Sequence, residues 1–171
     1  MNNNLKDIKI ALIGKSGSGK TKIAKYLQSK YEFIICNTGK RVRELAEEFF
    51  NTQSKNILHK IDDNFNSIEK GIWLRIALSS INSSATRIVI DSLRFIEDYN
   101  LAKKNGYIIW KINCPTETRI QRLTSRGQTF THEDNNHSSE TELDNSNCDF
   151  IIENGNIDIQ TLYLLIDEQF E

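Results

Sequence analysis

Short runs of apolar and β-branched residues recur along the chain at 8–13, 32–36, 86–91, 107–112 and 149–153. Between them lie longer stretches in which apolar positions return every three or four residues, at 19–30, 40–51, 68–81, 95–105 and 116–125, with a last one at 157–170. Short buried runs separated by amphipathic crossovers predict βαβ units, hence an α/β fold with five strands in a parallel sheet. The single proline, Pro115, falls just past the fourth run, where the first turn of a helix tolerates it. Residues 128–147 break the pattern, because Asn, Ser, Thr and acidic residues replace almost every apolar one. That composition predicts mobile surface, either a disordered loop or a lid.

Composition narrows the setting more than the fold. With 171 residues, 38% of them hydrophobic and 26% charged, one sizeable core in a single domain is expected. A net charge of -1 lacks the basic excess that draws a protein to a phosphodiester backbone, so nucleic acid is not the expected partner. Cys36, Cys114 and Cys148 are odd in number and widely spaced, which suits neither a disulfide framework nor a zinc site and points to a reducing cytoplasm. The polar start of the chain and the lack of a long apolar span predict no export and no membrane insertion.

The strongest chemical signal is Gly14, Lys15, Ser16, Gly17, Ser18, Gly19, Lys20 and Thr21, which fits G-x-x-x-x-G-K-[ST] between a strand-like run and a helix-like one. Glycines let backbone N–H groups turn inward around a phosphate, and the following helix offers its positive end. Lys20 would meet the β/γ phosphates and Thr21 would ligate Mg²⁺, so ATP with Mg²⁺ is the expected cofactor pair. Asp91 ends the run Arg87-Ile88-Val89-Ile90, and a carboxylate at that strand tip is the second candidate for holding the metal.

Three further segments resemble the nucleoside monophosphate kinase superfamily of P-loop kinases, over nearly the whole chain. Asn37-Thr38-Gly39-Lys40-Arg41-Val42-Arg43 is similar to a T-G-x-x-x-R segment that holds the acceptor, with Thr38 and Arg43 at the matching positions. Asp91-Ser92-Leu93-Arg94 resembles the segments in which an arginine beyond the strand binds the acceptor phosphate, which implies that role for Arg94. Arg119, Arg122 and Arg126, spaced to share one helix face, resemble the R-L-x-x-R-G start of a kinase lid. The C-terminal part, with His137-Ser138-Ser139-Glu140 and Ile152-Glu153-Asn154-Gly155, narrows the likeness to phage-type deoxynucleoside monophosphate kinases, although phosphomevalonate kinases share a similar ending.

The resemblance implies a three-layer P-loop kinase fold with sheet order 2-3-1-4-5 flanked by helices. It implies one domain over 1–171, an acceptor-binding helical region at about 37–82 and a lid region at about 119–147. The implied reaction moves the ATP γ-phosphoryl group onto a (deoxy)nucleoside monophosphate. Lys20, Arg94, Arg122 and Arg126 would be catalytic, Thr38, Arg43 and Arg94 would bind the acceptor, and Thr21 and Asp91 the metal. An ionised acceptor phosphate needs no general base, so alignment and charge neutralisation are the expected means. No arginine follows Arg126, unlike adenylate-type lids. Phosphomevalonate or dephospho-coenzyme A as acceptor, a nucleotide-dependent switch, and either a monomer or a homodimer stay open. Trp73 with Leu74 and Leu78 is read as core, and His59 and His132 as surface or capping residues.

Overall fold

The computed structural model describes residues 7–128 and 131–171. Five strands form one sheet: β1 (Lys9–Ile13), β2 (Ile34–Cys36), β3 (Ile88–Ile90), β4 (Ile108–Asn113) and β5 (Phe150–Glu153). All pairs are parallel and the order is β2-β3-β1-β4-β5, so β1 lies at the centre between β3 and β4. Consecutive strand residues point to opposite faces, and the core divides accordingly. Ile10, Leu12, Val89 and Trp110 pack under α1 (Lys20–Tyr31) and the C-terminal helix, while Ala11, Ile13, Ile90 and Ile109 pack against the opposite layer.

Around the sheet the described residues form α1, α2 (Lys40–Phe50), α3 (Lys55–Ile68), α4 (Ile72–Ser79), α5 (Ile96–Lys104), α6 (Thr116–Thr124), α7 (His132–Asn136), α8 (Ser138–Thr141) and α9 (Ile159–Asp167). Ile23, Ala24 and Leu27 of α1 and Leu162 and Ile166 of α9 cover one face of the sheet. Leu74 of α4 and Ala102 of α5 cover the other. A smaller cluster of Val42, Ala46, Ile61 and Trp73 ties α2, α3 and α4 into an appendage beside the C-terminal ends of β2 and β3.

Two expectations need correction. The helix read at 68–81 is shorter: α3 ends at Ile68, Gly71 takes φ 77° at the N-cap of α4, and α4 covers only Ile72–Ser79. Residues 128–147 are not simply a polar loop: Asp134, Ser139, Glu140 and Leu143 are buried, and α7 and α8 dock this segment on the domain. Several of its polar side chains pair with other polar groups of the same segment. Thr131 and Asp134 cap α7 reciprocally, and His137 accepts from Ser139 N–H at the start of α8. Thr129 and Phe130, part of the same expectation, lie outside the described residues.

Candidate active site

In a parallel sheet every strand ends on the same edge, and that edge gathers the loops after β1, β2, β3 and β5. The loop from Gly14 to Thr21 is the centre of it. Gly17 and Gly19 adopt φ 82° and 107°, a region that a side chain disfavours. Space is short as well: a Cβ on Gly17 would lie 2.8 Å from the Arg119 carbonyl oxygen, and one on Gly19 2.2 Å from Asn154 Nδ2. Asn154, past β5, donates to the Ser18 carbonyl at 2.7 Å and is buried with it. Arg119 Nη1 donates to the Ser16 carbonyl at 3.0 Å, and its Nη2 to Asn135 Oδ1 at 2.7 Å. Arg119 is 1% exposed, so it is a strut holding the loop and not part of a solvent-facing arginine stripe.

Lys20 folds back over this loop. Its Nζ donates to the carbonyls of Gly14 at 2.5 Å and Lys15 at 3.0 Å. Burial, opposed by Glu140 and Asp91 and helped by Arg94 and Lys55, brings the ammonium down to about 8. A desolvated ammonium ringed by other cations is a site that an anion would relieve. Ser18 Oγ is buried without a partner, and Thr21 is exposed at the first turn of α1.

Asp91 is buried one residue beyond β3, with Oδ1 unpartnered. Burial raises its pKa, opposed by the Thr38 backbone N–H and by Arg43, Lys20 and Arg94. No group of three or more acidic, His or Cys side chains that could by itself hold a metal occurs among the described residues. A cation here would therefore lean on ligand oxygens, with the Thr21 hydroxyl and the unpaired Asp91 oxygen as the protein's share.

A pocket opens between α2, α3, α4 and the segment after β3. Arg43, Lys55 and Arg94 line it with Thr38, and so do Trp73, Phe95, Asp62 and Asp98. Arg43 Nη2 donates to Asn37 Oδ1 at 2.8 Å, and its guanidinium lies over Gly39, where a Cβ would come within 2.7 Å. Thr38 is buried and its hydroxyl donates to the Ser92 carbonyl at 2.7 Å, pinning the β2 loop to the β3 loop. Lys40 and Arg41 turn away to pair with Glu44 on the surface.

Glu140 bridges this pocket and the phosphate-type loop. Its two carboxylate oxygens accept from Ser16 N–H at 2.6 Å and Ser16 Oγ at 2.5 Å, and Oε1 also meets Arg94 Nη1 at 3.3 Å. Burial would raise its carboxyl, but Arg94, Lys20 and the two Ser16 hydrogen bonds outweigh that and hold the pKa below the usual carboxylate range. Lys15 pairs with Asp144 at 3.0 Å nearby. His137 stacks on His59 with ring centroids 3.9 Å apart and reaches Asp63 at 3.3 Å, so α8 is joined to α3 as well as to the loop.

The expected site residues therefore fall into two groups. Lys20, Asp91, Thr38, Arg43 and Arg94 converge around the loop and the first pocket. Arg122 and Arg126 line a different pocket, with Gly19, Lys22 and Asn154, on the other side of the loop. Arg122 is held there by contacts to Cys114 Sγ and the Gly155 carbonyl, both at 3.4 Å, and Arg126 lies beyond the end of α6. Lys55, Asp62 and Asp98 were not singled out by the sequence. A Ser-Lys pair starting a helix and single acids within helices give no local sign of facing a cavity.

This combination of a 2-3-1-4-5 parallel sheet, a glycine-rich loop after β1 and a cation-lined pocket beside it defines the P-loop kinase fold, similar to that of the nucleoside monophosphate kinases. The chain belongs to the family of AAA domains, which it matches over residues 10–143. A cytidylate kinase of Methanocella arvoryzae (strain DSM 22066 / NBRC 105507 / MRE50) is 49% identical over 39 residues, which is 23% of this chain and 22% of that protein. The aligned part thus spans about a fifth of that relative's length. Among solved structures, shikimate kinase from Acinetobacter baumannii in complex with shikimate superposes with a TM-score of 0.58 at 13% identity, covering 96% of this chain and 93% of that one. Deoxyadenosine kinase from M. mycoides with bound dCTP gives 0.58 at 17% identity, covering 95% and 98%. Shikimate kinase from Aquifex aeolicus gives 0.59 at 17%, covering 95% and 96%. Their named substrates differ, so what they share with this chain is the scaffold and not an acceptor. No helix among the described residues is long and apolar enough to cross a membrane.

Proposed function

We propose that the protein is an ATP-dependent phosphotransferase that moves the γ-phosphoryl group onto a nucleoside or deoxynucleoside monophosphate. The observation that carries this reading is the pair of guanidiniums, Arg43 and Arg94, lining one pocket beside the P-loop. Two forked cations from separate chain segments suit the oxygens of a phosphate dianion, a need that a hydrolytic switch does not have. Lys20 and the loop amides hold the donor phosphates. Thr21 and the unpaired Asp91 oxygen fit a Mg²⁺ ion riding on those phosphates, which would neutralise charge on the transferred group. Arg122 and Arg126, on the far side of the loop, serve the donor nucleotide from there. Because the acceptor phosphate is already ionised, the protein's task is to align two anions and offset their repulsion.

The three cysteines are free, which fits a reducing compartment such as the cytoplasm. The partners are small nucleotides. A screen of dNMPs and NMPs with ATP and Mg²⁺, read by ADP release, tests the reading, with phosphomevalonate, dephospho-coenzyme A, shikimate and deoxyadenosine in parallel. At least one nucleoside monophosphate should raise ADP production well above the acceptor-free rate. Stimulation only by an acceptor from the parallel set rejects the proposed substrate class.

A further inference from the structure

The pocket beside the P-loop has cations at its phosphate side and acids deeper in. Asp62 of α3 is 7% exposed and Asp98 of α5 is 3% exposed, and both line the pocket with Trp73. One Asp62 oxygen accepts from Asn66 Nδ2 at 3.0 Å. Asp98 Oδ1 and the Trp73 indole N–H, by contrast, are buried with no hydrogen-bond partner. The indole N–H faces the Asp62 carboxylate and eases its charge. Leaving a buried acceptor and a buried donor unpaired in one cavity is costly, and such groups in a native fold call for an explanation. Charge proximity adds to the cost: burial pushes Asp98 up to about 7, with Asp62 the next contributor.

What the pocket offers a ligand here is the carboxylates of two acids, set among the rings of Trp73, Phe95 and His59. The complementary ligand edge is planar, with two hydrogens to give. An exocyclic amino group next to a ring nitrogen or carbonyl supplies that set. Uracil and thymine offer one ring N–H between two carbonyl oxygens, so a second carboxylate would face a lone pair. We propose that Asp62 and Asp98 read an amino group on the acceptor base, so that the pocket selects cytosine, adenine or guanine nucleotides over those of uracil or thymine. This rests on the pocket being the acceptor site of a nucleoside monophosphate kinase.

The test uses base pairs of nearly identical shape. With ATP and Mg²⁺, kcat/KM is measured for dCMP against dUMP and for dAMP against dIMP. The amino-bearing member of each pair should be favoured tenfold or more, since a site built to pair with substrate N–H groups rejects the analogue that lacks them. Asp62→Asn and Asp98→Asn, each checked for folding by circular dichroism, should each lower that ratio at least tenfold by placing an amide where a carboxylate stood. Equal or preferred use of dUMP and dIMP by the wild type overturns the inference and leaves the kinase reading standing. So does full discrimination in a folded variant of either aspartate. Turnover of no nucleoside monophosphate at all overturns both.

Discussion

Replacing Asp98 by Asn should stabilise the ligand-free protein, and by an amount that depends on pH. An ordinary aspartate carboxyl titrates near 3.8, whereas burial, then Asp62, Glu97 and Glu142, push Asp98 up to about 7, opposed by the Phe95 backbone N–H. Between those two values the native state holds a proton that the unfolded chain has lost, so stability falls as pH rises across that window. Above it, the native state carries a buried charge whose cost is about 4 kcal/mol at roughly 1.4 kcal/mol per tenfold change in proton affinity. Asn keeps the shape and an oxygen for the Phe95 N–H but carries no charge. At pH 8 the variant should therefore gain roughly 2–4 kcal/mol, or a Tm higher by about 5–15 °C for a chain of this length. By pH 4 the wild-type carboxyl is neutral in the folded state and the gain should shrink to under about 1 kcal/mol. Urea denaturation of both proteins from pH 4 to 8, followed by circular dichroism with m-values compared, provides the measurement. A difference that is flat with pH, or a variant less stable at pH 8, would refute the buried-charge explanation. A gain confirmed at pH 8 would mean that the protein retains a destabilising acid in its pocket, the signature expected where stability is traded for recognition.

Lys20→Ala should abolish phosphoryl transfer while the circular dichroism spectrum stays that of the wild type, because the side chain bonds only to loop carbonyls; near-normal turnover would remove it from the donor site. Arg43→Lys and Arg94→Lys should each lower acceptor kcat/KM about ten- to a hundredfold, the loss of one charge-assisted hydrogen bond, and the double variant should be less than additive if both hold one phosphate. Glu140→Gln should depress Lys20 further, since the carboxylate opposes the burial that lowers its pKa. Its ATP affinity should then weaken at a lower pH than in the wild type, and titrations that coincide would show that Glu140 does not act on Lys20.

The sheet and the P-loop were legible because both are written locally. Buried strands are short apolar runs, and the loop's spacing between strand and helix leaves little freedom. The order 2-3-1-4-5 came from resemblance and is the order found. Helix α3 was not read, although Ser54 caps it and Ile57, Leu58 and Ile61 lie on its inner side. Its Asn, Asp and Lys residues thin the apolar stripe, since it faces only the small cluster with α2 and α4. Arg119, Arg122 and Arg126 show the converse error. Their spacing is right for one face, but Arg119 is consumed by a contact across 103 residues of sequence and Arg126 falls past the helix end. Glu140 was visible as part of a motif, yet its bond to Ser16 depends on how the polar segment docks. That docking runs through side-chain pairing, which leaves no period in the sequence.

Glu140 also offsets the positive charge gathered around the loop. Arg94 lowers the proton affinity of both Lys20 and Lys55, and Lys55 lowers that of Lys20, so the cations of the cleft repel one another. The carboxylate sits among them as a built-in counterion, fastened to the loop through Ser16. An anion approaching the loop must compete with this tethered carboxylate for the Ser16 N–H and hydroxyl. The loop thus carries an anion of its own chain, supplied by the segment that docks on it.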